Sequence, residues 1–145
     1  MIIPPAEDPM LQLFTNMFTR KGHRQKAQRM TSRVLLYLHT FTRAPPLPLF
    51  RQAVLDAAPA TKCASVRSGP KIIITPKALP EKTRIHLAIG AIMKQATKRG
   101  GQQIEEKIAR EMLDILKGDS EVLKIKDRLH KEAFANRSAI RIRRS

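Results

Sequence analysis

The sequence has no tryptophan, one tyrosine and one cysteine, and no acidic side chain at all between Asp8 and Asp56. With Cys63 alone, an internal disulfide is excluded, as is a zinc site built on several cysteines. The longest aliphatic and aromatic run, Val34–Leu38, falls far short of the roughly 20 residues of a membrane span. Six aromatic residues imply a mostly aliphatic core, and leave few rings to stack on unpaired bases. The start, Met1-Ile2-Ile3-Pro4-Pro5 followed by Glu7 and Asp8, reads as neither a signal peptide nor an Arg-rich transit peptide. His23, His39, His86 and His130 show no metal-ligand spacing, and no P-loop or dinucleotide-binding glycine pattern occurs. No enzyme, metal, cofactor, small-molecule substrate or membrane association is expected. An RNA-modifying enzyme would need a catalytic group that these residues do not offer.

What is present is positive charge. The chain of 145 residues carries 28 Lys and Arg against 12 Asp and Glu, a formal charge of +16. Residues 1–101 hold 17 basic and 4 acidic side chains, residues 102–136 hold 7 and 8, and residues 137–145 hold 4 and none. A field of this size repels itself until something anionic neutralises it, and nucleic acid is the commonest such partner. Hydrophobic residues make up 42% of the chain, enough for a real core, which argues against global disorder. The length fits one domain, residues 1–145, with a basic hairpin over 62–79 and a basic tail over 137–145.

Periodicity predicts a mainly α fold: about six helices in a bundle, with one β-hairpin inserted between the third and fourth. Asp8 can cap a first helix with Pro9 in its first position and Gly22 at its end. A second helix runs from about Arg24 to about Thr42 on the stripe Ala27, Met30, Val34, Leu38 and Phe41. Ala44-Pro45-Pro46-Leu47-Pro48 reads as a stiff break before a short helix from Leu49 to about Ala57. Cys63–Val66 and Ile72–Thr75 flank a Ser68-Gly69-Pro70 turn. Ile72-Ile73-Ile74 does not alternate, so either both faces are covered or the strand is short and twisted. Three more helices follow: one opened by Pro80, one over about Gln102 to Lys117 stopped by Gly118, and one capped by Ser120. Among Lys107 and Arg110, the acids Glu105, Glu106, Glu111 and Asp114 read as a charged outer surface.

The sharpest signal is on the second helix. Lys26, Arg29 and Arg33 share one face, and Arg20, Lys21 and Arg24 extend it through the turn at Gly22. Solvated basic faces usually interleave acids at i±4; here there are none. Lys62, Arg67, Lys71 and Lys77 make the hairpin a basic ribbon suited to a nucleic-acid backbone, or an exposed hairpin with lysines guarding its edges. Lys94 and Lys98 share a face of the fourth helix. Composition makes the run from Asn136 through Arg137 and Arg141 to Arg144 an interaction tail or a frayed terminus. Only Tyr37 looks free of the core stripes, so recognition is expected to rest on phosphate, sugar and shape. A basic helical protein that compacts DNA or RNA would share these features.

Particular residues go further. Phe14-Thr15-Asn16-Met17-Phe18-Thr19-Arg20-Lys21-Gly22-His23-Arg24, then Leu49-Phe50-Arg51-Gln52-Ala53-Val54, resemble the first and third helices of the universal small-subunit ribosomal protein seven family. So do Val66-Arg67-Ser68-Gly69 through Thr75-Pro76, Leu87-Ala88-Ile89, Ile108-Ala109-Arg110-Glu111-Met112-Leu113-Asp114, Gly118, Lys126, His130-Lys131 and Ala135-Asn136-Arg137, all in the family's order. The likeness covers about residues 10–141. His23 replaces the Lys or Arg usual in bacterial members, the hairpin is shorter than theirs, and their basic N-terminal arm is missing. With the segment from Leu35 to Pro48, these departures resemble a fungal-type mitochondrial branch.

The resemblance implies a non-catalytic constituent of the small ribosomal subunit, here of mitochondria. Such a protein binds rRNA of the head, supports head assembly and lies near the exit-site tRNA and the mRNA path. By position, Arg20, Lys21, Arg24, Lys26, Arg29, Arg33, Arg67, Lys71 and Lys77 would meet rRNA, with Lys94 and Lys98 as further candidates from the charge pattern. Ser68, Gly69, Asn136, Arg137 and Arg141 would approach tRNA and mRNA. Neighbouring head and platform ribosomal proteins would be partners.

Overall fold

The computed structural model describes residues 8–101 and 103–139. In order, its elements are α1 (Pro9–Phe18), α2 (Arg24–Thr42), α3 (Pro46–Ala57), β1 (Thr61–Ser68), β2 (Lys71–Ala78), α4 (Glu81–Thr97), α5 (Ile104–Lys117) and α6 (Glu121–Ala135). A 3-10 turn over Arg137–Ala139 follows. The mainly α architecture with a hairpin between α3 and α4 is as the sequence predicts.

α1 begins where the sequence says. The Asp8 carboxylate accepts the amides of Met10 (2.9 Å) and Leu11 (3.3 Å), and Pro9 occupies a position whose amide needs no partner. The other Asp8 oxygen pairs with Arg51 of α3, so this nearly inaccessible carboxylate also ties two helices together. The helix ends earlier than expected. Thr19 caps it, its amide bonding to Thr15 and Asn16 carbonyls. Gly22 instead shapes the connecting turn, where Lys21 (φ 54°) and Gly22 (φ 77°) are consecutive left-handed residues.

α2 matches its predicted limits, and Ala27, Val34 and Leu38 of its stripe are buried. Phe41, at the far end of that stripe, is exposed. Thr31 is also buried, its hydroxyl 2.9 Å from that of Thr15 on α1. Each hydroxyl also reaches its own i−4 carbonyl, at 2.8 and 3.0 Å, so two protons serve three contacts. α3 starts three residues before the predicted Leu49. Pro46 and Pro48 fall in its first turn, where missing amides cost nothing; the prolines open the helix rather than delaying it.

α5 is the centre of the packing and contacts α2, α3 and α4. Its Ile108, Ala109, Met112 and Ile115 are buried against Val34 and Leu38 of α2, Phe50 and Val54 of α3, and Ile89 and Ile92 of α4 in one aliphatic core. Phe14 stands edge-on to Phe18 (centroids 4.7 Å apart) and to Phe50 (5.2 Å), linking α1 to this core. Gly118 (φ 86°) ends α5 in the left-handed conformation.

The reading of α5's acids as an outer surface is corrected. Glu105 and Glu111 are buried. Glu111, 2% exposed, accepts a hydrogen bond from Arg99 Nε (2.7 Å) on one oxygen and from the Ser120 hydroxyl on the other. Ser120 in turn caps α6 by accepting the Val122 amide at 3.1 Å. Arg99 also pairs with Asp114. A short network thus fixes the end of α4, the middle of α5 and the start of α6, with Glu111 at helical spacing from Ile108 and Ile115 on the buried face of α5.

The hairpin strands are longer than Cys63–Val66 and Ile72–Thr75. Pairing continues outward from Ser68↔Lys71 to Thr61↔Ala78, and Leu79 donates to Ala60 O at 3.0 Å to close the base. Gly69 (φ 62°) takes the first place of the two-residue Gly69-Pro70 loop, where a positive φ matches the twist of paired strands. Neither reading of the isoleucine run holds. Ile72 and Ile74 are exposed, 71% and 42%, because only the base of the ribbon packs on α6 and the terminal 3-10 turn.

Replacing Glu111 with Ala removes the acceptor shared by Arg99 and Ser120. It is expected to lower stability by about 2 to 3 kcal/mol, read as a shift of the urea midpoint at constant slope.

Candidate nucleic-acid interface

Helical geometry builds the first part of the basic surface. α2 buries Ala27, Thr31, Val34 and Leu38, so Lys26, Arg29 and Arg33 stand on another face of the same cylinder. The left-handed pair Lys21-Gly22 turns the chain sharply and brings Arg20 and Arg24 to the end of that face; His23 N bonds to Arg20 O at 3.1 Å across the turn. All six cations, Arg20, Lys21, Arg24, Lys26, Arg29 and Arg33, are exposed.

One is less free than the local sequence suggests. Arg33 lies 3.6 Å from Glu105 of α5, a carboxylate supplied from outside the acid-free stretch. Arg51, in the same stretch, is paired with Asp8. The other five α1–α2 cations have no carboxylate partner among the described residues. His23 donates no side-chain cap to α2, and the amides of Gln25 and Lys26 have no backbone acceptor among the described residues. The positive end of the helix therefore adds to the cationic field.

On the hairpin, register and alternation sort the basic residues. Lys62, Lys71 and Lys77 share a face with Val66 and Ile73, while Arg67 stands on the other with Ile72 and Ile74. Lys62 and Lys77 are direct partners across the ladder, a like-charge pairing that costs stability unless an anion screens it. Ser68 and Gly69 form the exposed tip. Asn136 sits at the base instead: its Nδ2 is 4.0 Å from Cys63 Sγ and donates to Glu132 O at 2.9 Å. Five residues at ~3.4 Å per residue separate that level from Ser68, so the tip stands about 17 Å further out. Arg137 lies beside Asn136, and Arg141 falls outside the described residues.

Lys94 and Lys98 are exposed on the last part of α4, which packs on α1, α3, α5 and α6 rather than principally on α2. Lys98 lines a shallow depression together with Arg99, Glu111, Asp119 and Glu121, so carboxylates outnumber the other cations around it, unlike the surroundings of the α2 cations. Glu121 has its carboxyl held below the usual value, chiefly by a hydrogen bond and charge attraction from Lys124, whose own value is raised by the same contact.

Two aromatic features escape the sequence reading. Tyr37 is not spared: its hydroxyl donates to Gln103 Oε1 (2.9 Å) and its ring stacks against Phe41 at 5.9 Å. Phe134 is the free ring, 67% exposed, with the Arg137 guanidinium 4.1 Å over it. Its position one residue past Ala133, off the Val122–Ile125–Leu129–Ala133 stripe, is the signal that locates it. His130 accepts the Ala60 amide at 2.9 Å and holds the hairpin base to α6. Among the described residues, no group of three His, Cys, Asp or Glu is placed to hold a metal ion, and no helix is long and apolar enough to cross a membrane.

The family model described as ribosomal protein S7p/S5e matches residues 3–137. Among curated relatives, the small ribosomal subunit protein uS7m of Schizosaccharomyces pombe is 25% identical over 97% of this chain. The chain spans about half of that protein's length (54%). The uS7 protein of Thermomicrobium roseum is 28% identical over 94% of this chain and 89% of its own length. The uS7m protein of Reclinomonas americana is 25% identical over 93% and 85%.

Arg29 and Arg33 should respond differently to charge reversal. Arg29→Glu is expected to leave stability within about 0.5 kcal/mol. Arg33→Glu sets a carboxylate against the buried Glu105 and should unfold at visibly lower temperature, both followed by helical circular dichroism.

Proposed function

Because the chain belongs to the ribosomal protein S7p/S5e family, a structural constituent of the small ribosomal subunit, we propose that it binds small-subunit rRNA in the head, through the face formed by the α1–α2 turn and α2. The observation that carries this reading is the set of exposed cations Arg20, Lys21, Arg24, Lys26 and Arg29, which no carboxylate among the described residues neutralises. Arg33 joins them at the cost of its contact with Glu105. Arg67, Lys71 and Lys77 extend the contact along the hairpin, where an rRNA backbone relieves the repulsion between Lys62 and Lys77. Lys94 and Lys98 are weaker contributors, the latter because of its acidic surroundings. Phosphate contacts supply affinity, and the fixed spacing of a helix face and a ribbon supplies shape selectivity.

In this reading the protein supports head assembly beside neighbouring head and platform ribosomal proteins. The hairpin tip, Ser68 and Gly69, and the end of α6, with Asn136, Arg137 and Arg141, lie near the exit-site tRNA and the mRNA path. The compartment is the mitochondrion; the uS7m proteins of two eukaryotes support this, beside bacterial relatives of equal similarity. The role is structural rather than enzymatic, in keeping with the family.

The chain should sediment with the small subunit in sucrose gradients of a mitochondrial lysate and stay with it when low magnesium separates the subunits; migration at the top of the gradient would refute the assignment. If about eight phosphates are neutralised, log K for an rRNA fragment falls against log salt with a slope of roughly −6 to −7. A slope near zero, or equal affinity for duplex DNA, would rule out the electrostatic and shape-selective account.

A further inference from the structure

We infer that the cleft between the α1–α2 turn and the start of α5 seats one unpaired nucleotide of the rRNA, its base on an apolar floor and its phosphate against a cationic rim. This rests on the rRNA-binding reading and gives that surface a specific ligand. The cleft has a volume of about 380 Å³, within the roughly 300–1,000 Å³ usual for small-ligand sites. Phe18, Ala27, Met30 and Ile104 line its floor, and Arg20, His23 and Lys26 its rim. Among the described residues no carboxylate lines it, and Glu105, the residue after Ile104, is engaged by Arg33.

The shape of this feature exceeds what phosphate tracking needs. A surface that only follows a backbone requires cations on a ridge, with no use for an apolar hollow beneath them. The hollow here is held open by fixed parts. Phe18 stands edge-on to Phe14 at an interplanar angle of 79°, which sets its ring. Ala27 is buried and too small to fill the space above it. The His23–Arg20 backbone bond sets the two rim residues on either side of the turn. The amides of Gln25 and Lys26, without a backbone acceptor among the described residues, lie at the same end of α2.

Ligand chemistries can be compared on this site. An acidic side chain of a protein neighbour would satisfy the rim and leave the floor wet. An apolar side chain would cover the floor and bury cations without a partner, at a desolvation cost. A nucleotide meets both demands: a flat π-face for the floor and an anion for the rim. The aromatic poverty of the chain is no obstacle, because one ring with aliphatic neighbours suffices for a single base.

The test uses the intact chain and a small-subunit rRNA fragment in which unpaired nucleotides are made abasic one at a time. One abasic position is expected to weaken binding roughly tenfold, the scale of one lost base contact. Met30→Glu places a carboxylate in the cleft and should weaken the unmodified RNA by a similar factor. In that variant the sensitive position should lose its effect, falling below about twofold. Ile104→Ala, a gentler change of the same floor, serves in its place if Met30→Glu alters the helical dichroism. A scan in which no position exceeds twofold on the unaltered protein overturns the inference. So does an abasic penalty that persists in full in the cleft variants. A flat scan, with a ribosomal-protein neighbour lost from subunits assembled with the Met30→Glu chain, assigns the cleft to a protein side chain instead. Failure of the unaltered chain to bind any rRNA fragment refutes the underlying reading; firm binding with a flat scan leaves that reading standing and removes only the nucleotide site.

Discussion

Everything in this molecule depends on burying α5, the one helix that is both apolar on its inner side and rich in acids. Three other helices close over Ile108, Ala109, Met112 and Ile115. The acids at the margins of that buried surface meet arginines from elsewhere, Glu105 facing Arg33 of α2 and Glu111 facing Arg99 beyond α4. A chain so rich in positive charge needs internal anions to hold its basic helices together, and α5 provides them where water is excluded and each contact counts for more. Losing a partner in such a place leaves an uncompensated charge, which is why these pairs specify how the helices sit.

The same arrangement explains the surface. Of the acids drawn inward, only Glu105 reaches α2, where it meets Arg33, so Arg20, Lys21, Arg24, Lys26 and Arg29 keep no carboxylate partner among the described residues. The basic face is stiff, because it is the back of a helix whose other side is core. The ribbon projects from a different part of the molecule and, among the described residues, is held at its root by His130, Asn136 and the terminal turn. The molecule therefore presents two cationic features of unlike stiffness, one preset and one able to adjust.

Much of this was legible in the residues. The Asp8-Pro9 start, the Ala27–Val34–Leu38 stripe, the Gly118 stop and the Ser120 cap each follow from local rules that tertiary packing did not override. Misreadings occurred where a residue's local and tertiary roles differ. Pro46 and Pro48 look like a break, yet a helix's first turn is where proline is harmless. Glu105 and Glu111 look exposed because charged residues usually are, and their arginine partners, Arg33 and Arg99, lie on or beyond other helices. Phe41 continues a perfect stripe past the aliphatic core, to where only Tyr37 and the Arg110 guanidinium flank it among the described residues, and Phe134 is exposed because α6 buries little beyond Val122 and Ala133. The candidate cations were found because charge needs no fold to be counted; the cleft beside them needs three elements to meet and leaves no local trace.

The closure of the hairpin at its root has an evolutionary meaning. Ala60 and Leu79 are joined by a backbone bond, so the chain leaves and re-enters the helical body at nearly one point. To the bundle, the whole ribbon is one closed loop, and the entropy of a closed loop grows only with the logarithm of its length, about 0.6 kcal/mol per doubling. Insertions or deletions at the tip, made in register pairs, would scarcely be felt by the core. The ribbon is thus a part whose reach can drift between lineages while the body that carries it stays the same.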